Sequence, residues 1–370
     1  MTEKKYLLPV FILLFLAFLT SVSVSQPLRQ IIDGNDRVVS IPIKIDRIIC
    51  SGPGCLRLIT YFGAQDRVVA VDDIETRTNK FDARPYSLAN PQFKSFPVFG
   101  GFRGNDDPEK ILGLKQSPQI IFKTFATMGY DPVELERKTE IPVVILEYGD
   151  LHKGRKQFFN SLKVIGQVLN KESRASELID FFNRHIQDLE SRTRDIADKK
   201  TCFVGGIAFK GPHGFQSTEP SYPPFKFVNA NNIAATKDMA GKNIRNSNFS
   251  KEKILQLDPS IMFLDLSTLQ MGEGQDGLHE LKNDPVYQGL TAVQANKVYG
   301  VLPYNWYTQN FGSILANAWY IGKILYPEKF LDITPEKKAD EIYEFLVSKP
   351  VFKSMKSLFK DIVFQPLELN

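Results

Sequence analysis

The feature that most constrains the fold is the stretch 173–197, which runs without a glycine or a proline. Its apolar positions, Ala175, Leu178, Ile179, Phe182, Ile186, Leu189 and Ile196, recur at the three-then-four spacing of one helical face. Asp180 with Arg184, Asp188 with Arg192 and Glu190 with Arg194 set opposite charges four apart, each worth roughly 0.2–0.5 kcal/mol on a wet face. Such a helix is about 37 Å long, the width of a small domain. It is either a strut between two lobes or a long core helix of one domain, and the flanking sequence decides between these.

On the N-terminal side short units alternate: strands at 47–50, 68–71, 120–122 and 143–146, and helices at 55–62, 109–114, 132–138 and 156–169. Asp107-Pro108 is a good helix start. The polar, turn-rich stretch 75–94 reads as a surface excursion. After the long helix the theme returns, with strands at 202–209, 261–266 and 298–302 and helices at 253–257, 310–325, 336–346 and 351–359. The two halves also share a unit. Glu109-Lys110-Ile111-Leu112 leads through Leu114 and Pro118 to an apolar strand, and Glu252-Lys253-Ile254-Leu255 leads through Leu257 and Pro259 to another. The expected fold class is therefore α/β: two similar lobes with largely parallel sheets, joined by one long helix. The expected boundaries are 1–25 for an export signal, 26–170 for the first lobe, 171–199 for the strut, and 200–370 for the second lobe with its closing helices.

Composition bounds the class. At 370 residues, 43% hydrophobic and 24% charged, the chain has the balance of a soluble globular protein with room for two cores. Lys4 and Lys5 precede an apolar run over 6–19 and then the small residues of 20–25, the pattern of a secretory signal cut before Gln26. No cysteine lies near that cut to take a lipid anchor, so the mature protein is expected free in the periplasm of a double-membraned cell. The net charge is +4 and no basic block stands out, which argues against nucleic acid as a partner. Cys50, Cys55 and Cys202 are too few for a disulfide scaffold. A Cys50–Cys55 bridge across the intervening turn competes with a buried strand cysteine beside a helix-start cysteine.

In open α/β sheets ligands collect beyond the carboxyl ends of the strands, so the loops after strands are the places to look. In the first half, Phe102 and Arg103 sit on a glycine-bordered loop, where Arg103 either meets a ligand or pairs with Asp106 or Asp107. In the second half, residues 210–222 hold His213, Ser217, Thr218, Glu219 and Tyr222, although Glu219 also reads as a helix-start charge and Tyr222 as a packing residue. Tyr304, Trp306 and Tyr307 precede a long helix, as a stacking surface or as a plug over the core. Asp72 and Asp73 read as solvating a strand end. Enzyme signals are weak: there is no GxSxG elbow, His279-Glu280 lacks the second histidine of HExxH, and the GxGxxG match at 272–277 follows a polar spacer and carries two acids. No His, Cys and carboxylate cluster has metal-site spacing. The expectation is a binding protein without a catalytic residue, cofactor or resident metal; the alternative from another class is a secreted metal-dependent hydrolase using His213 and Glu219.

The order of elements from about residue 46 to 327, with the echoed Glu-Lys-Ile-Leu units and the strut, resembles the periplasmic binding proteins of ABC importers that carry iron–siderophore, haem and cobalamin complexes. The resemblance implies a monomer that traps a small metal-containing ligand between its lobes and delivers it to an importer's permease and ATPase. It further implies that Glu109 and Glu252, the first-turn acids of the echoed units, dock onto permease arginines. An arginine on one wall facing serine, threonine and histidine on the other suits an anionic ligand. That ligand is an iron chelate, with the two loops holding its acidic groups, or a compact oxyanion such as molybdate or tungstate. A Gly- and Pro-free strut is a poor hinge, so the change of lobe angle on binding is expected to be small.

Overall fold

In the computed structural model, which describes residues 27–369 apart from 79, 237–241 and 243, two parallel sheets flank the long helix. The expected export signal lies outside the described residues. The first sheet has the strand order Asn105–Asp106, Val98–Gly101, Val68–Asp72, Ile48–Ser51, Ile120–Thr124, Val143–Leu146, parallel except for its first edge strand. The second runs Asn231–Asn232, Thr201–Gly205, Ile261–Asp265, Val298–Val301, all parallel. The hairpin Leu28–Ile32 with Val38–Pro42 is a separate two-stranded ladder whose turn bonds to the edge of the first sheet, the Gly34 amide donating to the Ile145 carbonyl at 2.8 Å. Every residue of Ile120–Thr124 and of Ile261–Asp265 is buried, the signature of strands covered on both faces. No described helix is long and apolar enough to cross a membrane.

Local chemistry explains the echoed units. Asp107 caps Pro108–Leu112 by accepting from the Lys110 amide at 3.1 Å, and Ser250 caps Lys251–Leu257 by accepting from the Lys253 amide at 3.2 Å. Each helix then feeds a central strand of its own sheet. Glu109 and Glu252 are exposed in the first turns, where the helix dipole favours an acid.

The long helix is Glu172–Thr193, so it stops four residues before the expected end at Ala197. Beyond Thr193 the chain has two apolar residues, Ile196 and Ala197, among charged ones before Thr201 opens the next strand, and the Thr193 hydroxyl turns back to the Leu189 carbonyl at 3.0 Å. The expected stripe is buried at Ala175, Leu178, Phe182, Ile186 and Leu189. Arg192 pairs with Asp188 as expected and also forks onto Asp332 at 2.6 and 2.8 Å. Against this helix Phe158 of the first lobe meets Phe311 of the second, their centroids 4.1 Å apart. His185 packs against Phe181 and accepts a 2.9 Å hydrogen bond at Nδ1 from the Trp319 indole.

Two further expectations change. The stretch 75–94 is not a surface excursion: it forms the short helices Asp73–Thr76 and Pro85–Ala89 and buries Phe81, Tyr86 and Phe93. Its buried charges are paired internally: Arg84, fully buried, binds Glu75 at 2.7 Å and Asp82 at 2.8 Å, while the Tyr86 hydroxyl donates to Glu75 at 2.6 Å. The closing helix Pro335–Val347 belongs to the second half of the chain but packs across onto the first lobe, and Phe359, just past the helix Phe352–Leu358, stacks on Phe81. Lys349 donates to the Ala89 carbonyl at 2.5 Å, and Tyr343, Leu346 and Val347 line a crevice with Arg57, Tyr61 and Tyr86. One continuous apolar core consequently runs through both lobes, with a smaller second cluster on the other face of the first sheet. Cys50, Cys55 and Cys202 are free and buried, and the Cys55 thiol donates to the Phe122 carbonyl.

Candidate functional site

The site is built around the segment between the strand Val298–Val301 and the helix Phe311–Leu325. Asn317, inside that helix, anchors the exit of the strand by bonding both the amide (3.0 Å) and the carbonyl (2.8 Å) of Leu302. The segment then doubles back: the Asn310 amide donates to the Tyr304 carbonyl at 2.6 Å, and Tyr307 and Thr308 take left-handed backbone angles, φ 48° and 63°. Neither is a glycine or an asparagine, so this shape needs outside support.

The support comes from the first lobe. Arg57, on the helix Cys55–Tyr61, is 1% exposed. Its guanidinium donates to the carbonyls of Gln309 (2.8 Å), Trp306 (3.1 Å) and Tyr307 (3.2 Å) and to the Tyr148 hydroxyl. Tyr148 in turn donates to the same Gln309 carbonyl at 2.7 Å and stacks between Phe125 and Phe311. The Tyr307 hydroxyl donates to Asp72, at the end of a first-lobe strand, and accepts from the Arg103 amide at 3.2 Å. Gly54, with φ 75°, lets the two walls touch: a Cβ there would sit 2.4 Å from Tyr148 and 2.6 Å from Thr308.

Burial sets the electrostatics. It pushes the Asp72 carboxyl well above its ordinary range, and the neighbouring charge of Glu75 adds to this while the Tyr307 hydroxyl opposes it. Burial likewise raises Glu219, which accepts from the Tyr304 hydroxyl, and the Arg245 cation works in the opposite direction. On the floor of the first lobe Lys123, fully buried, binds Asp106 at 2.6 Å, the Ser51 hydroxyl at 3.1 Å and the Gly104 carbonyl at 3.2 Å. Arg103 carries the left-handed turn of its loop, φ 64°, and lays its guanidinium over the Phe102 ring at 5.2 Å. Asp106 is taken by Lys123, and Asp107 by the helix cap and Lys110 at 3.4 Å, so the pairing considered for Arg103 is filled from elsewhere.

Buried polar side-chain atoms normally have partners. Among the described residues ten do not, and five of these lie on the segments that meet between the lobes: Arg57 Nε, Asp72 Oδ1, Trp306 Nε1, Gln309 Oε1 and Asn310 Oδ1. No group of three or more His, Cys, Asp or Glu placed to hold a metal ion occurs among the described residues.

The expected residues divide accordingly. Phe102, Arg103, Tyr304, Trp306 and Tyr307 come together where the lobes meet, with Glu219 under Tyr304; Thr218, fully buried, precedes Glu219 on the short strand Ser217–Thr218. Ser217 and Tyr222 are instead part of the protein's own framework: the Ser217 hydroxyl donates to the Ile207 carbonyl at 2.7 Å, and Tyr222 is fully buried against Phe225 and Tyr304. His213 is exposed, its ring nitrogen 2.8 Å from the Phe209 carbonyl of its own loop. The GxGxxG match is a turn at 272–276 ahead of the helix Gly277–Asn283. Asp72, expected to solvate a strand end, is 3% exposed and faces Tyr307. Arg57, Tyr148 and Lys123 were not expected. The one available signal was Arg57 itself, a lone charge in the otherwise uncharged helix 55–61.

Two α/β lobes braced by a single long helix, with a polar junction between strand ends, are the architecture of a solute-binding protein of the ABC-importer class. The chain belongs to the periplasmic binding protein family, whose description matches residues 48–304, and a periplasmic location and the absence of a cofactor go with that membership. It is similar to the molybdate-binding protein MolA of Haemophilus influenzae, 24% identical over 358 residues covering 90% of this chain and 95% of the relative. A weaker similarity, 20% identity over 196 residues, links 52% of the chain to 54% of the iron-uptake system-binding protein of Bacillus subtilis. Among solved structures, a periplasmic solute binding protein from Veillonella parvula superposes with a TM-score of 0.68 at 17% identity, covering 90% of this chain and 99% of that one. MolA bound to molybdate gives 0.65 at 19% identity, covering 87% and 98%. At these identities the structures speak for the fold alone.

Proposed function

We propose that this chain receives an oxygen-rimmed, metal-bearing anion at the lobe junction and presents it to an importer's permease. The observation that carries this reading is the set of partnerless buried polar atoms at the junction, with Trp306 Nε1 and the Arg103 guanidinium as donors. The indole N–H and Arg103 suit the outer carboxylates of an iron chelate, and the Phe102 ring suits its organic body. A second reading, a compact oxyanion, is favoured by the direct contact of the walls at Tyr307–Asp72 and Arg57–Gln309, and by the molybdate named for MolA. The signal segment 1–25 is removed on export, and the mature protein acts as a monomer. Glu109 and Glu252, exposed on equivalent helices of the two lobes, are the docking points.

Calorimetric titration of the purified protein with ferric citrate and with sodium molybdate tests the ligand class. One of the two binds stoichiometrically, and Arg103→Ala weakens that binding at least tenfold. If neither binds, or if turnover of a substrate appears instead, the reading is wrong. Reversing charge at both Glu109 and Glu252 is expected to abolish uptake in cells while leaving binding intact, and undiminished uptake would remove the docking assignment.

A further inference from the structure

The loop that supplies Trp306 to the junction does not hold its own shape. Two consecutive residues, Tyr307 and Thr308, sit in the left-handed region; the loop's own lobe holds its ends, through Tyr304 to Glu219, Asn305 to the Ala208 carbonyl at 2.7 Å, the Asn305–Gln309 bridge and Asn310 within the turn, and leaves the carbonyls between to the other lobe. Its carbonyls at 306, 307 and 309 all point to one guanidinium from the opposite lobe. That guanidinium is held in turn, with Tyr86 and Tyr148 ring centroids at 5.1 and 5.9 Å and the Tyr148 hydroxyl as a further acceptor. A planar fork matches several acceptors in one plane, which a flexible ammonium does not. Because Arg57 is buried, water does not compete for the carbonyls.

We propose that Arg57 is a positioning residue for cargo binding: it acts across the lobe junction on three backbone carbonyls and thereby fixes where the side chains of Trp306, Gln309 and Asn310 face. The proposal rests on the junction being the cargo site, and it adds that one lobe shapes the recognition surface of the other. Fixing peptide planes fixes the direction of each Cβ, so the unpartnered Trp306 Nε1, Gln309 Oε1 and Asn310 Oδ1 are held ready for a solute and need no ordering when it arrives. The bonds go to backbone, so this control is independent of which side chains the loop carries.

Trp306 and Trp319 are the two tryptophans of the chain, and Trp319→Phe leaves Trp306 as the sole tryptophan, read by selective excitation at the red edge where tyrosine does not absorb. In that background we would compare Arg57→Gln, Arg57→Lys and, as a packing control from the same helix, Leu58→Ala. The readouts are thermal midpoint, acrylamide quenching of the ligand-free protein, and titration with sodium molybdate and with ferric citrate. Arg57→Gln is expected to raise the Trp306 quenching constant at least twofold and to weaken whichever solute binds at least tenfold. Arg57→Lys, keeping the charge without the fork, falls between, and Leu58→Ala lowers the midpoint without moving either. Quenching and affinity unchanged in Arg57→Gln, or reproduced by Leu58→Ala, would overturn the proposal. If Arg57→Gln does not fold, the contrast between Arg57→Lys and Leu58→Ala decides in the same way. If neither solute binds the parent, the cargo reading of the preceding section fails, while ligand-free quenching still decides whether Arg57 sets the loop.

Discussion

His185 gives the sharpest test of how the long helix is held. Its Nδ1 accepts the Trp319 indole hydrogen at 2.9 Å, which requires a neutral ring with that nitrogen unprotonated. Burial, helped by the nearby Lys338 cation, lowers its pKa from 6.5 to about 4. The folded value lies below the unfolded one, so the unfolded chain takes up the extra proton first. Stability is therefore full above pH 6.5 and falls as the pH drops toward 4. Between pH 7.5 and 4.5 the expected loss from this residue alone is about 2.5 kcal/mol, a sizeable part of the 5–15 kcal/mol typical of a folded protein. The variant His185→Gln keeps an acceptor for the indole and does not titrate. Urea unfolding at both pH values, read by circular dichroism, gives the double difference, in which other titrating groups such as the raised Asp265 cancel. Wild type should lose about 2.5 kcal/mol more than the variant. Parallel profiles, agreeing within about 0.5 kcal/mol, would refute the argument that a neutral His185 braces the helix against Trp319.

Replacing Arg84 by Met should cost about 3–5 kcal/mol, because Glu75 and Asp82 would be left buried without their cation; a fall in thermal midpoint of only a degree or two would show that the cluster relaxes or takes in water. Solution scattering with and without cargo should detect a change of about 0.5 Å or less in a radius of gyration near 20 Å, since one core joins the lobes; a larger closure would contradict the stiff-strut expectation.

What the sequence disclosed was what local periodicity carries. The strut, the strand and helix alternation and the echoed capped helices follow from spacings of two to four residues and from Asp107 and Ser250 at helix starts. The site was half legible: Phe102, Arg103, Tyr304, Trp306 and Tyr307 stand out as aromatic or charged residues in loops after strands. Arg57 and Tyr148 did not, since the Arg57 bonds reach about 250 positions along the chain and no local pattern encodes such a partner. The stretch 75–94 was misread for a related reason. Arg84, Asp82 and Glu75 look like solvated charges until their mutual pairing is seen, and the pairing is what allows their burial. Ser217 and Tyr222 show the converse, polar groups in a suggestive loop whose hydrogen bonds and packing are taken up at home.

The crossing of the closing helix Pro335–Val347 onto the first lobe has a consequence for biogenesis. The face of the helix Cys55–Tyr61 that carries Arg57 and Tyr61 is covered by Tyr343, Leu346 and Val347, so an early segment of the chain waits for almost the last one. Contacts of such sequence separation are slow to form. A chain threading outward from its N-terminus would thus hold an incomplete first lobe, with its apolar helix face open to chaperones and proteases, until residues beyond 347 had emerged and the whole could lock together at once.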